Sequence, residues 1–218
     1  MKKLLLALPL LLCACVTQPV NRVTLPGVDN SGSVPVNDLR PANEKASDIF
    51  SLLISSSAYG IYRKGDETLD PPMTSIFRRR VYEKFGANGQ PLSISIHHMV
   101  VYLNAKSALR KGAIGAGLGG VIGSVIASSA ANNLGVNLSQ SKVNRAEFEA
   151  LADREHERSF YTEAENPEKA TVFVIYIDAE VNGRRAFIKT LAPSTAPEGQ
   201  DPYFLAVDSS IQYYLSQI

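Results

Sequence analysis

The chain has 218 residues, with 22 Lys and Arg against 21 Asp and Glu, and only two cysteines. This near-neutral balance does not indicate a strongly basic face of the kind that binds nucleic acid. The length suits one domain with an insertion, or two small domains, and a chain so poor in cysteine must be stabilised by an apolar core.

The N-terminus has the organisation of a secretory signal. Two lysines precede an apolar run from Leu4 to Leu12, which is too short to span a bilayer as a helix. The run ends in Leu-Cys-Ala-Cys, which resembles the bacterial lipobox, where a small residue precedes the acylated cysteine. Because Ala14 is small, we predict lipidation at Cys15 and a signal peptide over residues 1–14. The alternative is an ordinary secretory signal that happens to contain two cysteines.

Lipidation would make Cys15 the first residue of the mature protein, carrying palmitate-type chains. The several chains of a bacterial lipoprotein anchor a protein stably, which one chain does not. Enterobacterial lipoproteins retained in the inner membrane usually have Asp after the cysteine. Val16 stands there instead, which by that family rule implies the outer membrane, on its periplasmic or its surface face.

The segment after the cysteine is rich in Pro, Gly, Ser and Asn, and it lacks an apolar period. We therefore expect residues 15–33 to be a flexible tether. A short strand is predicted at Val34–Leu39. The next segment, Ser47–Tyr62, is ambiguous, since its first half could be a helix capped by Ser47 and its second half extended.

The sequence DPPMTSIFRRRVYEKFG predicts a helix capped by Asp70, with two prolines in its first turn and Gly86 at its end. Its three consecutive arginines point in directions about 100° apart, so they make no single basic patch. A solvated helix face is the simpler interpretation, and contact with lipid headgroups or an acidic partner is the alternative.

The sequence PLSISIHHMVVYLNAKS predicts a long strand. Strict alternation places one set of side chains on one face: Ile94, Ile96, His98, Val100 and Tyr102. His97 and His98 would then point to opposite faces and could not bind one metal together. Because His156 is the only other histidine, we expect no metal site.

The C-terminal third carries the clearest local signals. Two β-rich runs flank Asn182-Gly183, the pair that a type I′ hairpin turn needs. The first run, TVFVIYI, is apolar on both faces, which predicts a central strand. Asp201 should cap a final helix that reaches Ile218, and Asn144 should cap an earlier helix with Glu147 three residues further on.

Between the long strand and the hairpin lies the sequence GAIGAGLGGVIGSVIASSAA, residues 112–131. It contains G-x-G-x-x-G at Gly115, Gly117 and Gly120. A dinucleotide site needs a strand directly before this pattern and an acidic residue about 20 positions later. Residues 105–111 separate it from the strand, and no acidic residue occurs between positions 111 and 147. We therefore expect no nucleotide and no other cofactor.

The same stretch contains a glycine zipper at Gly115, Gly119 and Gly123. Small residues four apart let helix backbones approach closely, as in membrane helices. Twenty helical residues would span roughly 30 Å, about one hydrocarbon core. We predict a helix that inserts into the membrane or oligomerises. The alternative is a loop, or a helix packed on its own domain.

The order of these features resembles known envelope lipoproteins. The lipobox, the strand–helix–strand start, the Asn-Gly hairpin and the closing helix resemble small lipoproteins of the YajG type. A glycine zipper inserted after the long strand resembles TraT-type outer-membrane lipoproteins. The resemblance covers the order of elements over most of residues 34–218. At the level of single residues it extends to Cys15 and to the register of Gly115, Gly119 and Gly123.

We therefore expect an α+β fold, a small antiparallel or mixed sheet packed by helices. The domain should comprise residues 34–110 and 139–218, with the glycine-zipper helix inserted at 111–138. The expected function is a non-enzymatic binding or assembly module anchored to the outer membrane. Its partner would be an envelope protein or a glycolipid, and the zipper could form a homo-oligomer. The alternative is an accessory lipid-binding lipoprotein of an envelope transport system. A hydrolase is less favoured, because no GxSxG, HExxH or paired-carboxylate motif is present.

Overall fold

The computed structural model of the chain describes residues 20–24, 34–54, 57–86, 91–106, 139–159 and 172–218. The strands are β1 (Asn21–Arg22), β2 (Val36–Asp38), β3 (Asp48–Ile54), β4 (Ser57–Lys64), β5 (Leu69–Asp70), β6 (Ile94–Lys106), β7 (Ser139–Lys142), β8 (Val172–Val181) and β9 (Arg184–Pro193). The helices are α1 (Met73–Phe85), α2 (Arg145–Glu149), α3 (Glu155–Ser159) and α4 (Pro202–Ser216), with 3-10 turns at Ala42–Lys45, Asp66–Thr68 and Ala152–Arg154.

Seven strands form one mixed sheet, which confirms the predicted α+β fold. Six of them run antiparallel in the order β3-β4-β6-β8-β9-β7. The seventh, β2, lies parallel to the start of β6, which confirms the short strand predicted near residue 36. The segment Asp48–Ile54 is a strand paired along β4, so the helix alternative for it is wrong. Pairing with a neighbouring strand decides such an ambiguous segment, and local preference does not.

The hairpin of β8 and β9 forms as predicted. Asn182 and Gly183 both have positive φ angles, 51° and 78°, as a type I′ turn requires. β8 lies between β6 and β9, and both Val174 and Ile175 are 1% exposed. These values confirm the central, doubly covered strand.

Two helices cover the first face of the sheet. In α4, Asp201 caps the helix by accepting a hydrogen bond from the Phe204 amide at 2.7 Å, as predicted. α1 packs against α4, and Gly86 stands at its C-terminal cap, also as predicted. The Asp70 cap is wrong, because Pro72 occupies the N-cap position and Asp70 pairs with β1 instead.

A shorter helical segment, α2 and α3, covers the second face. Asn144 caps α2 through its side-chain oxygen, 3.0 Å from the Ala146 amide, which confirms that prediction. The apolar core beneath this segment consists of Ile61, Val100, Tyr102, Phe148, Val172, Val174, Tyr176 and Phe187.

The side-chain alternation of β6 changes at a bulge between Ile96 and His98. Ile96 packs in the core of the first face, whereas Val100 and Tyr102 pack on the second. The prediction that His97 and His98 point to opposite faces is therefore wrong. An extra residue in one strand shifts the alternation by one position, so both histidines lie on the second face.

Part of the predicted tether is attached to the domain. Asn21 and Arg22 pair in parallel with Leu69 and Asp70 of β5, and the Val23 amide donates to the Asp70 carbonyl at 2.8 Å. The signal peptide at 1–14 and the glycine-zipper insertion at 111–138 lie outside the described residues.

Candidate functional site

The residues that the sequence singled out for function, Cys15, Gly115, Gly119 and Gly123, all lie outside the described residues. The described residues instead place several charged side chains in ion pairs on the second face of the sheet. Three buried or nearly buried carboxylates and one cavity stand out there. The partners of these carboxylates determine whether they can act chemically.

Asp178 lies on β8 with its side chain fully buried. Arg145 and Arg185 each donate two hydrogen bonds to it, at 2.8–3.2 Å. Burial acts to raise the pKa of Asp178, but the hydrogen bonds and charges of the two guanidinium groups outweigh it and lower the pKa. The cluster ties the start of α2 to the β8–β9 hairpin.

Glu155 begins α3 and joins it to the sheet. It accepts hydrogen bonds from the Tyr102 hydroxyl at 2.7 Å and from Arg63 at 2.5 Å. Burial, with the charge of Glu155, raises the pKa of Tyr102 well above its usual range, so this phenol stays a hydrogen-bond donor.

Glu44, in the 3-10 turn before β3, is 2% exposed. One of its oxygens lies 2.7 Å from His98 Nδ1, and the other accepts the Met99 amide at 3.2 Å. The His98 ring packs on Phe148 and Phe187, with ring centroids 5.0 and 5.9 Å away. As with Asp178 and Glu155, both carboxylate oxygens have partners. Such carboxylates suit structural ion pairs better than proton transfer.

A cavity of about 240 Å³ opens between β7, β8, β9 and the α2–α3 segment. We call it the cationic cavity, because its lining includes Lys142, Arg158 and Lys189 against the single acid Glu147. The remaining lining is made of Ser141, Asn144 and the apolar or aromatic walls Val143, Phe148, Leu151 and Tyr176.

Aromatic rings hold the two deeper cations of the cavity. Arg158 is 7% exposed, its Cζ lies 3.9 Å from the centre of the Phe148 ring, and its Nε donates to the Phe148 carbonyl at 2.9 Å. Lys189 Nζ lies 5.4 Å from the centre of the Tyr176 ring, and burial lowers the pKa of this lysine. Among the described residues, neither cation forms an ion pair with a carboxylate. A buried cation without a counter-ion is costly, so the cavity favours an anionic ligand.

Sequence reasoning missed both residues. Arg158 lies in the charged sequence EHERS, which has the composition of a solvated surface helix. Lys189 lies two residues after Phe187 along β9, and a lysine between the apolar residues Ile188 and Leu191 was the one available signal.

A second buried cation lies on the first face of the sheet. Lys64, at the end of β4, is 1% exposed, and within the described part of the chain its Nζ has no hydrogen-bond partner. Nζ lies 5.4 Å from the centre of the Tyr203 ring. Burial lowers the pKa of Lys64 to about 8, against the opposing charges of Asp201 and Glu67. Because Lys64 is buried against the Tyr203 ring, we interpret it as a structural group.

In the described ranges, no three His, Cys, Asp or Glu side chains lie close enough together to bind a metal ion. None of the helices in these ranges has the length and apolar character that crossing a membrane requires. Comparisons with protein-family models, curated proteins and solved structures found no match to this chain. The cationic cavity is therefore the feature of the described residues that bears most directly on function.

Proposed function

We propose that the chain is an outer-membrane lipoprotein, acylated at Cys15, whose α+β domain is a non-enzymatic binding module of the cell envelope. The single observation that carries the binding role is the cationic cavity. It combines apolar walls with two ring-held cations, Arg158 and Lys189, that lack carboxylate partners among the described residues. This arrangement can bind a ligand without performing a reaction on it.

The buried carboxylates support binding over catalysis. A general acid or base needs a pKa near the working pH and access to the reacting proton. Asp178 is instead fully buried between two arginines that keep it ionised, and Glu155 is engaged by Arg63 and Tyr102. These groups hold α2 and α3 on the sheet and so form one wall of the cavity.

The leader sequence supports membrane anchoring, and the attachment of residues 20–24 adds a geometric consequence. Six residue steps separate Cys15 from Asn21, which is bound to the domain through β5 and Asp201. A fully extended chain covers at most about 22 Å over six steps. The acylated protein would therefore hold its domain close to the membrane, with the β1–β5 pair and the start of α4 on the near side.

The alternative role is an accessory lipid-binding lipoprotein of an envelope transport system, and the mixed apolar and cationic lining of the cavity favours it. The glycine zipper at Gly115, Gly119 and Gly123 belongs to either role, as a membrane-inserted or oligomerising segment. An envelope protein or a glycolipid is the corresponding partner class.

The anchoring half of the proposal is tested by changing the two leader cysteines separately. Cys15→Ser should abolish acylation and move the protein from the outer-membrane fraction to the soluble periplasmic fraction. Cys13→Ser is the matched control, because it leaves Ala14 and Cys15 in place, and it should fractionate like wild type. If the Cys15 variant stays in the outer membrane at the normal level, lipid anchoring at this residue is wrong.

A further inference from the structure

We propose that the cationic cavity binds a phosphate monoester carried on a short apolar stem. This inference rests on the proposed binding function of the domain and names the class of its ligand. The charge of the lining, the contacts that hold the cations and the size of the cavity all match such a ligand.

The charge of the lining matches a phosphate monoester. Lys142, Arg158 and Lys189 face the cavity together with one acid, Glu147, which leaves an excess of two positive charges. A phosphate monoester carries a charge of about −1.5 to −2 at pH 7 and presents three acceptor oxygens. A carboxylate would neutralise only one of the two charges.

The cations are positioned but not neutralised. Arg158 uses one N–H for the Phe148 carbonyl and stacks on the Phe148 ring, while Lys189 lies against the Tyr176 ring. The Phe148 and Tyr176 rings pack together, 4.9 Å between centroids, so they fix both cations within one aromatic support. The remaining N–H groups of Arg158 are those that a guanidinium uses to bind phosphate oxygens in pairs.

The size of the cavity limits the ligand. Its volume of about 240 Å³ lies below the roughly 300–1,000 Å³ of sites for drug-sized ligands. A phosphate group with a few carbons fits between the cations and the side chains of Val143 and Leu151, and a longer ligand would extend outside. The same chemistry occurs in a soluble ester such as glycerol phosphate and in the headgroup of a lipid that ends in a phosphate monoester.

Calorimetric titration of the purified full-length protein in detergent distinguishes the two sources. The probes are glycerol 3-phosphate, dihexanoyl phosphatidic acid and, as a control lacking the monoester, dihexanoyl phosphatidylcholine. We expect saturable binding of at least one monoester and none of phosphatidylcholine. Binding of glycerol 3-phosphate points to a soluble ester, and binding confined to phosphatidic acid points to a lipid headgroup. If neither monoester binds, the inference is overturned.

Three variants locate the binding in the cavity. Because a hydrogen bond to a charged group contributes about 1.5–3 kcal/mol, Lys189→Met and Arg158→Met should each weaken monoester binding by about tenfold or more. Arg184→Met removes an exposed cation of the same strand outside the cavity and should change the affinity by less than about twofold. Lys189 is only half-buried, so its variant keeps the test usable if Arg158→Met does not fold.

Two results would contradict binding in the cavity. One is wild-type affinity in both Lys189→Met and Arg158→Met, and the other is a loss of affinity in Arg184→Met as large as in these two variants. The outcome is separable from the anchoring proposal. If Cys15→Ser releases the protein from the membrane but the wild type binds no monoester, the protein is a lipoprotein that does not bind this ligand. If the wild type binds a monoester but carries no acyl chain, the ligand inference holds and the membrane-anchoring proposal is wrong.

Discussion

Asn21 and Asp201, 180 residues apart in the chain, are joined by a hydrogen bond of 2.8 Å from the side-chain amide of Asn21 to Oδ2 of Asp201. The other oxygen of Asp201 caps α4 by accepting the Phe204 amide at 2.7 Å. One carboxylate thus fixes both the start of the last helix and the segment that follows the predicted lipid anchor.

This relationship predicts unequal costs for the two partners. Asn21→Ala should lower the free energy of unfolding by about 0.5–1.5 kcal/mol, the contribution of one hydrogen bond. Asp201→Ala should cost about 1–3 kcal/mol, because it also removes the helix cap. Asp201→Asn is the control that keeps a capping oxygen and should cost less than the alanine variant. Urea unfolding measures all three, and equal losses for Asn21→Ala and Asp201→Ala would contradict the double role.

The central strand β8 makes a second prediction. Val174 packs in the core of the second face and Ile175 in that of the first. Truncation of either residue to Ala should lower the free energy of unfolding by about 1–4 kcal/mol, because each change leaves a cavity in a packed core. Arg184→Ala, at an exposed position of the neighbouring strand, should stay within about 0.5 kcal/mol. Losses near zero in both core variants would contradict the two-layer core.

Lys64 makes a prediction about pH. Its pKa falls from 10.5 to about 8 in the folded protein, so between these values the unfolded chain binds more protons than the folded one. The free energy of unfolding should therefore rise with pH through this window, while the cost of burying the charged amine is fully present below about pH 8. That cost is limited to about 3 kcal/mol.

Replacing Lys64 by Met tests this relation. Lys64→Met should stabilise the fold at pH 7 by about 1–3 kcal/mol, since the charge is removed and only a weak contact with the Tyr203 ring is lost. The variant should also lose the rise in stability between about pH 8 and pH 9.5, below the range where tyrosines ionise. Lys45→Met, at a partly exposed lysine paired with Asp38, is the matched control and should keep that rise. If Lys64→Met is less stable than wild type and its stability still rises between about pH 8 and pH 9.5, Lys64 is not the group responsible for that rise.

Local signals predicted the elements whose geometry a few neighbouring residues determine. Asn182-Gly183 specifies its turn because both residues tolerate positive φ, and Asp201 with Pro202 specifies the start of α4. The bulge at His97 could not be predicted, because it depends on pairing with β8, about 80 residues further along the chain. Arg158 was missed for a similar reason, since its burial arises only when α3 docks on Phe148 and Tyr176.

The glycine zipper remains a prediction from sequence, and one residue tests it. Gly119→Leu raises helix propensity and hydrophobicity, so an isolated span should stay in the membrane. It also places a bulky side chain where two helix backbones would meet, which should abolish the oligomer or partner contact. Gly117→Leu, on another face of the helix, is the matched control. Selective loss of the crosslinked oligomer in Gly119→Leu is the expected result, and equal yields in wild type and both variants contradict the zipper.

The central claim is that the mature protein begins at an acylated Cys15, and mass spectrometry of its N-terminal peptide tests this most directly. Protein extracted from the outer-membrane fraction and digested with protease should yield a peptide that starts at Cys15, with a thioether-linked diacylglycerol and an amide-linked fatty acid. A peptide that starts at another residue, or at Cys15 with a free thiol, would contradict the account.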